Sequence, residues 1–129
     1  MAKTALELTP VEQMAYRPSA VIEQRQRAGN LLIEERWRQA QLLARQAAAL
    51  LREEFGASRI QLFGSGTQRP RFTLWSDVDL VVWGIPPQRF YAAVAAVTGI
   101  SADIGVDLID GDQCSQALRM AIEQDGTEL

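Results

Sequence analysis

The feature that most constrains this chain is an apolar strand broken by acid. Ser76-Asp77-Val78-Asp79-Leu80-Val81-Val82 reads as a strand, and side chains alternate along a strand. Asp77 and Asp79 therefore project from one face while Val78, Leu80 and Val82 project from the other. Two carboxylates about 7 Å apart, two residues of strand rise, repel each other unless a cation sits between them. Upstream, Ile60-Gln61-Leu62-Phe63 reads as a second short strand closed by Gly64 and Ser65, whose small side chains let a ligand approach the backbone. Downstream, Val106-Asp107-Leu108-Ile109 repeats the alternation, with Val106 and Leu108 toward the core and Asp107 away from it. Asp103, Asp110 and Asp112 compete with Asp107. Asp103 precedes the strand, Asp110 has the wrong parity, and Asp112 is expected to start the last helix.

These pieces, in this order, resemble the nucleotidyltransferase superfamily typified by DNA polymerase beta, and within it the minimal nucleotidyltransferases. The resemblance rests on Leu62-Phe63-Gly64-Ser65, then Asp77-Val78-Asp79, then Asp107, and covers residues 58 to 126. It implies an α+β fold, a small mixed sheet flanked by helices. It also implies a site in which Asp77, Asp79 and Asp107 hold two magnesium ions, with Gly64, Ser65 and Arg69 toward the phosphates of ATP. In the family, Gly-Ser opens a short helix whose free amides face the triphosphate. Here Gly66-Thr67-Gln68-Arg69 stands where many relatives carry an Arg-Ala-Arg-Gly-like run, so Arg69 and Arg71 are the available phosphate ligands. Trp75 is expected to pack beneath the loop rather than stack on a base.

Composition narrows the chemistry independently. With no histidine, neither a Ser-His-Asp triad nor a histidine metal site is possible, which leaves carboxylates as the acid, base and metal-binding groups. Lys3 is the one lysine, and no Gly-Lys-Ser/Thr follows Gly64-Ser65-Gly66, which excludes a Walker-type P-loop. A single cysteine, Cys114, allows no intrachain disulfide. The net charge of −3 divides into +2 over residues 1–63 and −5 over residues 64–129, so acid is concentrated in the half holding the site. This balance argues against a sequence-independent grip on nucleic acid. No apolar run spans a bilayer and the start lacks a signal-peptide plan, so a cytoplasmic protein is expected.

A length of 129 residues fits one domain. Thr9-Pro10-Val11-Glu12 opens a first short helix that Pro18 ends. Ser19 to Arg27 is helical again, with a break or bend at Gly29-Asn30. Residues 1–30 are read as an N-terminal helical extension and residues 31–129 as the nucleotidyltransferase domain. From Leu31 to Phe55 the pattern is strongest: Ile33, Trp37, Ala40, Ala44, Ala47, Leu51 and Phe55 form one helical stripe, broadened by Leu32, Leu43 and Leu50. It reads as a core helix packed on the sheet, or as a partner or homodimer surface. Most of the arginines are read as solvating helix faces. A helix from Arg89 to Val97, ended by Gly99, links the second and third strands, and Gln113 to Gln124 forms the last helix.

Little chain remains to hold an acceptor. Minimal nucleotidyltransferases are often antitoxins paired with a HEPN-type ribonuclease toxin, and members of that kind adenylylate a tyrosine on the toxin. The resemblance therefore implies transfer of AMP to a hydroxyl of a partner protein. The alternative is a non-catalytic protein of the same fold that neutralises or scaffolds a partner.

Overall fold

The computed structural model describes residues 18–129. The expected helix around Thr9 to Glu12 lies outside them. The chain divides into two compact units, Met1–Glu34 and Glu35–Leu129.

In the first unit the described residues form the opening turns of α1, which runs from Pro18 to Phe55. Proline is tolerated in a first helical turn, where its missing N–H would have no intrahelical partner. The expected break at Gly29-Asn30 does not occur: the helix passes through both residues. A single glycine costs about 1 kcal/mol against alanine, too little to interrupt a run of good helix formers that contains no proline.

In the second unit four strands form one sheet in the order β3-β2-β1-β4. β1 (Arg59–Phe63) is central and antiparallel to both β2 (Val78–Trp83) and β4 (Thr127–Glu128). β3 (Val106–Asp110) runs parallel to β2, as it must after a crossover through α2 (Pro87–Thr98). The last helix, α3, spans Gln116–Asp125.

Period-two alternation sorts the sheet into two faces. Ile60, Leu62, Val78, Leu80, Val82 and Val106 are all buried on one of them. From Ala40 onward the α1 stripe covers that face: Ala40, Leu43, Ala44, Ala47, Leu51 and Phe55 are buried, and Ala48 and Leu62 line one groove with β4, whereas Leu32 is exposed. Arg89 of α2 donates to the carbonyl of Glu54 at 3.0 Å and lies 4.8 Å over the Phe55 ring, tying α2 to the end of α1. Trp37 meets Phe72 edge to face at 5.3 Å. On the opposite face Ile122 of α3 is buried against the Gln61 and Trp83 end. The last helix starts later than expected. Ser115 caps it by accepting from the Leu118 amide at 3.2 Å, whereas Asp112 sits in the preceding turn and accepts from the Gly84 amide. Among the described residues, no helix is long and apolar enough to cross a membrane.

Candidate active site

The site begins where β1 ends. At Gly64 the chain takes φ +76°, a left-handed conformation that glycine adopts without strain, and Gly64–Thr67 forms a single 3-10 turn. The hydroxyl of Thr67 donates to the Gly64 carbonyl at 2.7 Å, and Gln41 of α1 donates to the Gly66 carbonyl at 2.9 Å. Gly66 is buried and Ser65 is half-buried. The helix implied after Gly-Ser is thus four residues of 3-10 turn, followed by a second such turn at Arg69–Arg71.

Beside this turn the sheet brings two carboxylates together. Asp79 of β2 is in register with Phe63 of β1 on one side and with Asp107 of β3 on the other. Like charges directly opposite on neighbouring strands destabilise a sheet. Asp79 is half-buried and Asp107 exposed. The Asp79 carboxyl is pushed up from 3.8 to about 6, first by burial, then by the charge of Asp107 and a hydrogen bond with it, and last by the charge of Asp77. A Cβ on Gly64 would stand 2.6 Å from Asp79 Oδ2, so the carboxylate lies against bare backbone. Glycine is needed here for close approach as well as for φ.

Asp77 lies one residue before β2 and is held differently. Its Oδ1 accepts from the Gly105 amide at 3.1 Å and lies 3.6 Å from Nη2 of Arg36. A Cβ at Gly105 would come within 3.1 Å of the Asp77 carboxyl. Arg36 is an exception to the reading of most arginines as solvating helix faces: its side chain is only 19% exposed, and its guanidinium faces the site. The signal available in the sequence was its position beside Trp37, on the flank of the apolar stripe.

Of the competing aspartates, Asp103 sits in the bend before β3. Asp110 ends β3, where its carboxylate accepts from the Asp112 amide at 3.0 Å. Arg69 is half-buried and Arg71 exposed. The expectation for Trp75 is overturned: it is 89% exposed, and Phe72, 3% exposed, packs beneath the loop instead. The turn that displays Trp75 is fastened by its own polar groups, with the Thr73 amide donating to Ser76 Oγ at 2.9 Å and the Trp75 amide to Thr73 Oγ1 at 3.2 Å.

Among the described residues, no three carboxylate or thiol groups form a preassembled metal cluster. The donor chemistry nevertheless suits a hard divalent cation. Asp79 and Asp107 are crowded oxygen donors with an excess of negative charge, and Asp79 Oδ2 lies so close to the Gly64 backbone that any side chain there would collide with it.

No protein-family model matches the chain, and no curated protein matches it. Solved structures do. A chain of the toxin–antitoxin complex MntA–HepT is 23% identical, with a TM-score of 0.52 over 68% of this chain and 69% of that one. A chain of a toxin–antitoxin complex with AMP-PNP is 24% identical, with a TM-score of 0.55 over 66% and 70%. A chain of the tri-AMPylated Shewanella oneidensis HEPN toxin in complex with MNT antitoxin is 24% identical, with a TM-score of 0.53 over 69% and 70%. At these identities the likeness shows the fold, the α+β nucleotidyltransferase fold that the sequence resemblance implied.

Proposed function

We propose that this chain is a magnesium-dependent nucleotidyltransferase that moves AMP from ATP to a hydroxyl of a partner protein, as the antitoxin of a HEPN-type toxin. The observation that carries the reading is the pairing of Asp79 with Asp107 across two parallel strands, beside the bare backbone of Gly64. Such a pair is costly to stability and suits a cation-dependent phosphoryl site. The structural neighbours support the choice of nucleotide and acceptor, because one is a complex with AMP-PNP and another contains an AMPylated HEPN toxin.

In this reading Asp77, Asp79 and Asp107 hold magnesium, which when bound neutralises the triphosphate and acidifies the attacking hydroxyl. The amides of the Gly64–Thr67 turn and the Ser65 hydroxyl bind the phosphates, and Arg69 supplies positive charge from the following turn. The acceptor oxygen forms a bond to the α-phosphorus as the bond to the β-phosphate breaks. Pyrophosphate leaves, and the hydroxyl proton passes to Asp107, the more exposed of the register pair. Positioning and charge neutralisation suffice, which is consistent with a chain that has no histidine.

The test is calorimetric titration of magnesium and AMP-PNP into the wild type and into an Asp77→Ala, Asp79→Ala double variant, with mass spectrometry of a co-expressed HEPN partner. Magnesium-dependent binding that the double variant loses, with AMP added to the partner, is expected. A folded wild type that neither binds nucleotide nor modifies the partner refutes the enzyme and leaves a non-catalytic partner-binding protein.

A further inference from the structure

Arg36 is the residue at the site that neither the motif nor the proposed chemistry uses. It lies in α1, far in sequence from the aspartates, and its guanidinium reaches three partners at once. Nε and Nη2 donate to the carbonyl of Ser76 at 3.2 and 2.8 Å, and Nη1 donates to the carbonyl of Asp103 at 3.3 Å. Nη2 also stands 3.6 Å from Asp77 Oδ1. One planar cation therefore joins the segment entering β2 to the segment entering β3. The same two segments are stitched above it by the Val78 amide donating to the Gly105 carbonyl at 2.9 Å and the Gly105 amide donating to Asp77.

We propose that Arg36 is a positioning residue for nucleotidyl transfer: it clasps the entries of β2 and β3, so that Asp77 is held at Gly105 and Asp107 is delivered opposite Asp79. The inference deepens the nucleotidyltransferase reading and rests on it. A guanidinium suits the task because its donors point in fixed directions and can serve two carbonyls and a carboxylate together, whereas a lysine ammonium acts as a single point charge. The contact also restrains Asp77 without withdrawing it: about half of its side chain, 47%, stays open to solvent. Arg36 touches no reacting group in this arrangement and acts only through Asp77 and the two strand entries.

The test compares the wild type with Arg36→Gln and Arg36→Lys by hydrogen exchange at the Gly105 and Val78 amides and by AMP-transfer kinetics. For a folded Arg36→Gln protein, exchange at Gly105 should rise about tenfold, and kcat should fall about tenfold with little change in KM for ATP. Half-saturation by magnesium should move to higher concentration, and Arg36→Lys should recover part of each loss. Unchanged exchange at Gly105 in Arg36→Gln overturns the clasp. Faster exchange with unchanged kcat and magnesium dependence overturns the positioning role and leaves a structural one. If Arg36→Gln fails to fold, Arg36→Lys decides by the same readouts: wild-type values in both exchange and kinetics refute the proposal. A wild type that transfers no AMP refutes the enzyme reading, while the exchange comparison still shows whether the clasp exists.

Discussion

One face of the sheet carries two ends that treat charge in opposite ways. Arg59, Gln61, Phe63, Asp79, Val81, Trp83 and Asp107 share that face by register and alternation. At the β4 end, Arg59 meets Glu128 at 2.5 Å and lies 4.7 Å over the Trp83 ring, while Gln61 donates to the same carboxylate at 2.6 Å. These partners hold the Glu128 carboxyl below its usual range, Arg59 most and then Gln61. At the other end, Asp79 faces Asp107, and its carboxyl rises to about 6. The same strands thus neutralise charge at one end and concentrate it at the other. Folding alone explains the first arrangement, whereas the second gains stability from whatever brings positive charge between the carboxylates, a proton or a cation.

The largest break in this comparison comes from removing the charge of Asp79. Asp79→Asn should cost about a hundredfold to a thousandfold in AMP transfer, as expected for losing a group that acts on charge in the transition state. It should also make the metal-free protein more stable near neutral pH, because it removes the repulsion with Asp107. A variant that loses activity and stability together would contradict the reading that this end is electrostatically frustrated. Gly64→Ala tests the backbone side of the same end. The left-handed conformation and the 2.6 Å approach to Asp79 should together destabilise by about 1–3 kcal/mol, read by denaturant unfolding.

Acidity sharpens the contrast. In the folded chain Asp79 keeps its proton up to about pH 6, whereas unfolded it ionises near 3.8. Between those values the folded state binds more protons, so stability should fall as pH rises and then level off above pH 6. Solvent screens a half-exposed carboxylate, which reduces the expected change to about 1 kcal/mol. Magnesium–nucleotide binding should run the other way, weakening below about pH 6 as Asp79 takes up its proton. Unfolding free energies at pH 5 and 7.5, with and without Asp79→Asn, check the first trend, and calorimetry checks the second.

Much of this face was legible because period-two alternation depends only on neighbours in the chain. The runs around Leu62, Leu80 and Leu108 announce three strands, and the alternation in them puts Asp79 and Asp107 on one face. What the sequence could not show was decided at a distance. β4 is two residues long, too short for any periodic signal, and exists because Gln61 and Leu62 pair with it. Ser115 rather than Asp112 caps the last helix because Asp112 is occupied by the Gly84 amide. Phe72 takes the place expected of Trp75: both are large aromatics in one loop, and it is Phe72 that meets the Trp37 ring. Arg36 escaped notice for the same reason, since helical periodicity says which residues flank a stripe but not what the flank faces.

The smallest expected effect belongs to the neutralised end. Arg59 and Glu128 are each about half exposed, so solvent and salt already screen most of their attraction. A double-mutant cycle with Arg59→Ala and Glu128→Ala should return a coupling of about 0.5 kcal/mol, declining further in high salt. Its pH dependence has the opposite sign to that of Asp79. Glu128 ionises more readily folded than unfolded, so its contribution is complete above its ordinary value of 4.5 and is lost as pH falls through the lower folded value. Unfolding curves for the four proteins of the cycle at neutral and acid pH measure both quantities. A coupling of several kcal/mol would mean that the Arg59–Glu128 end is also a specialised site, and the contrast between the two ends of the face would fail.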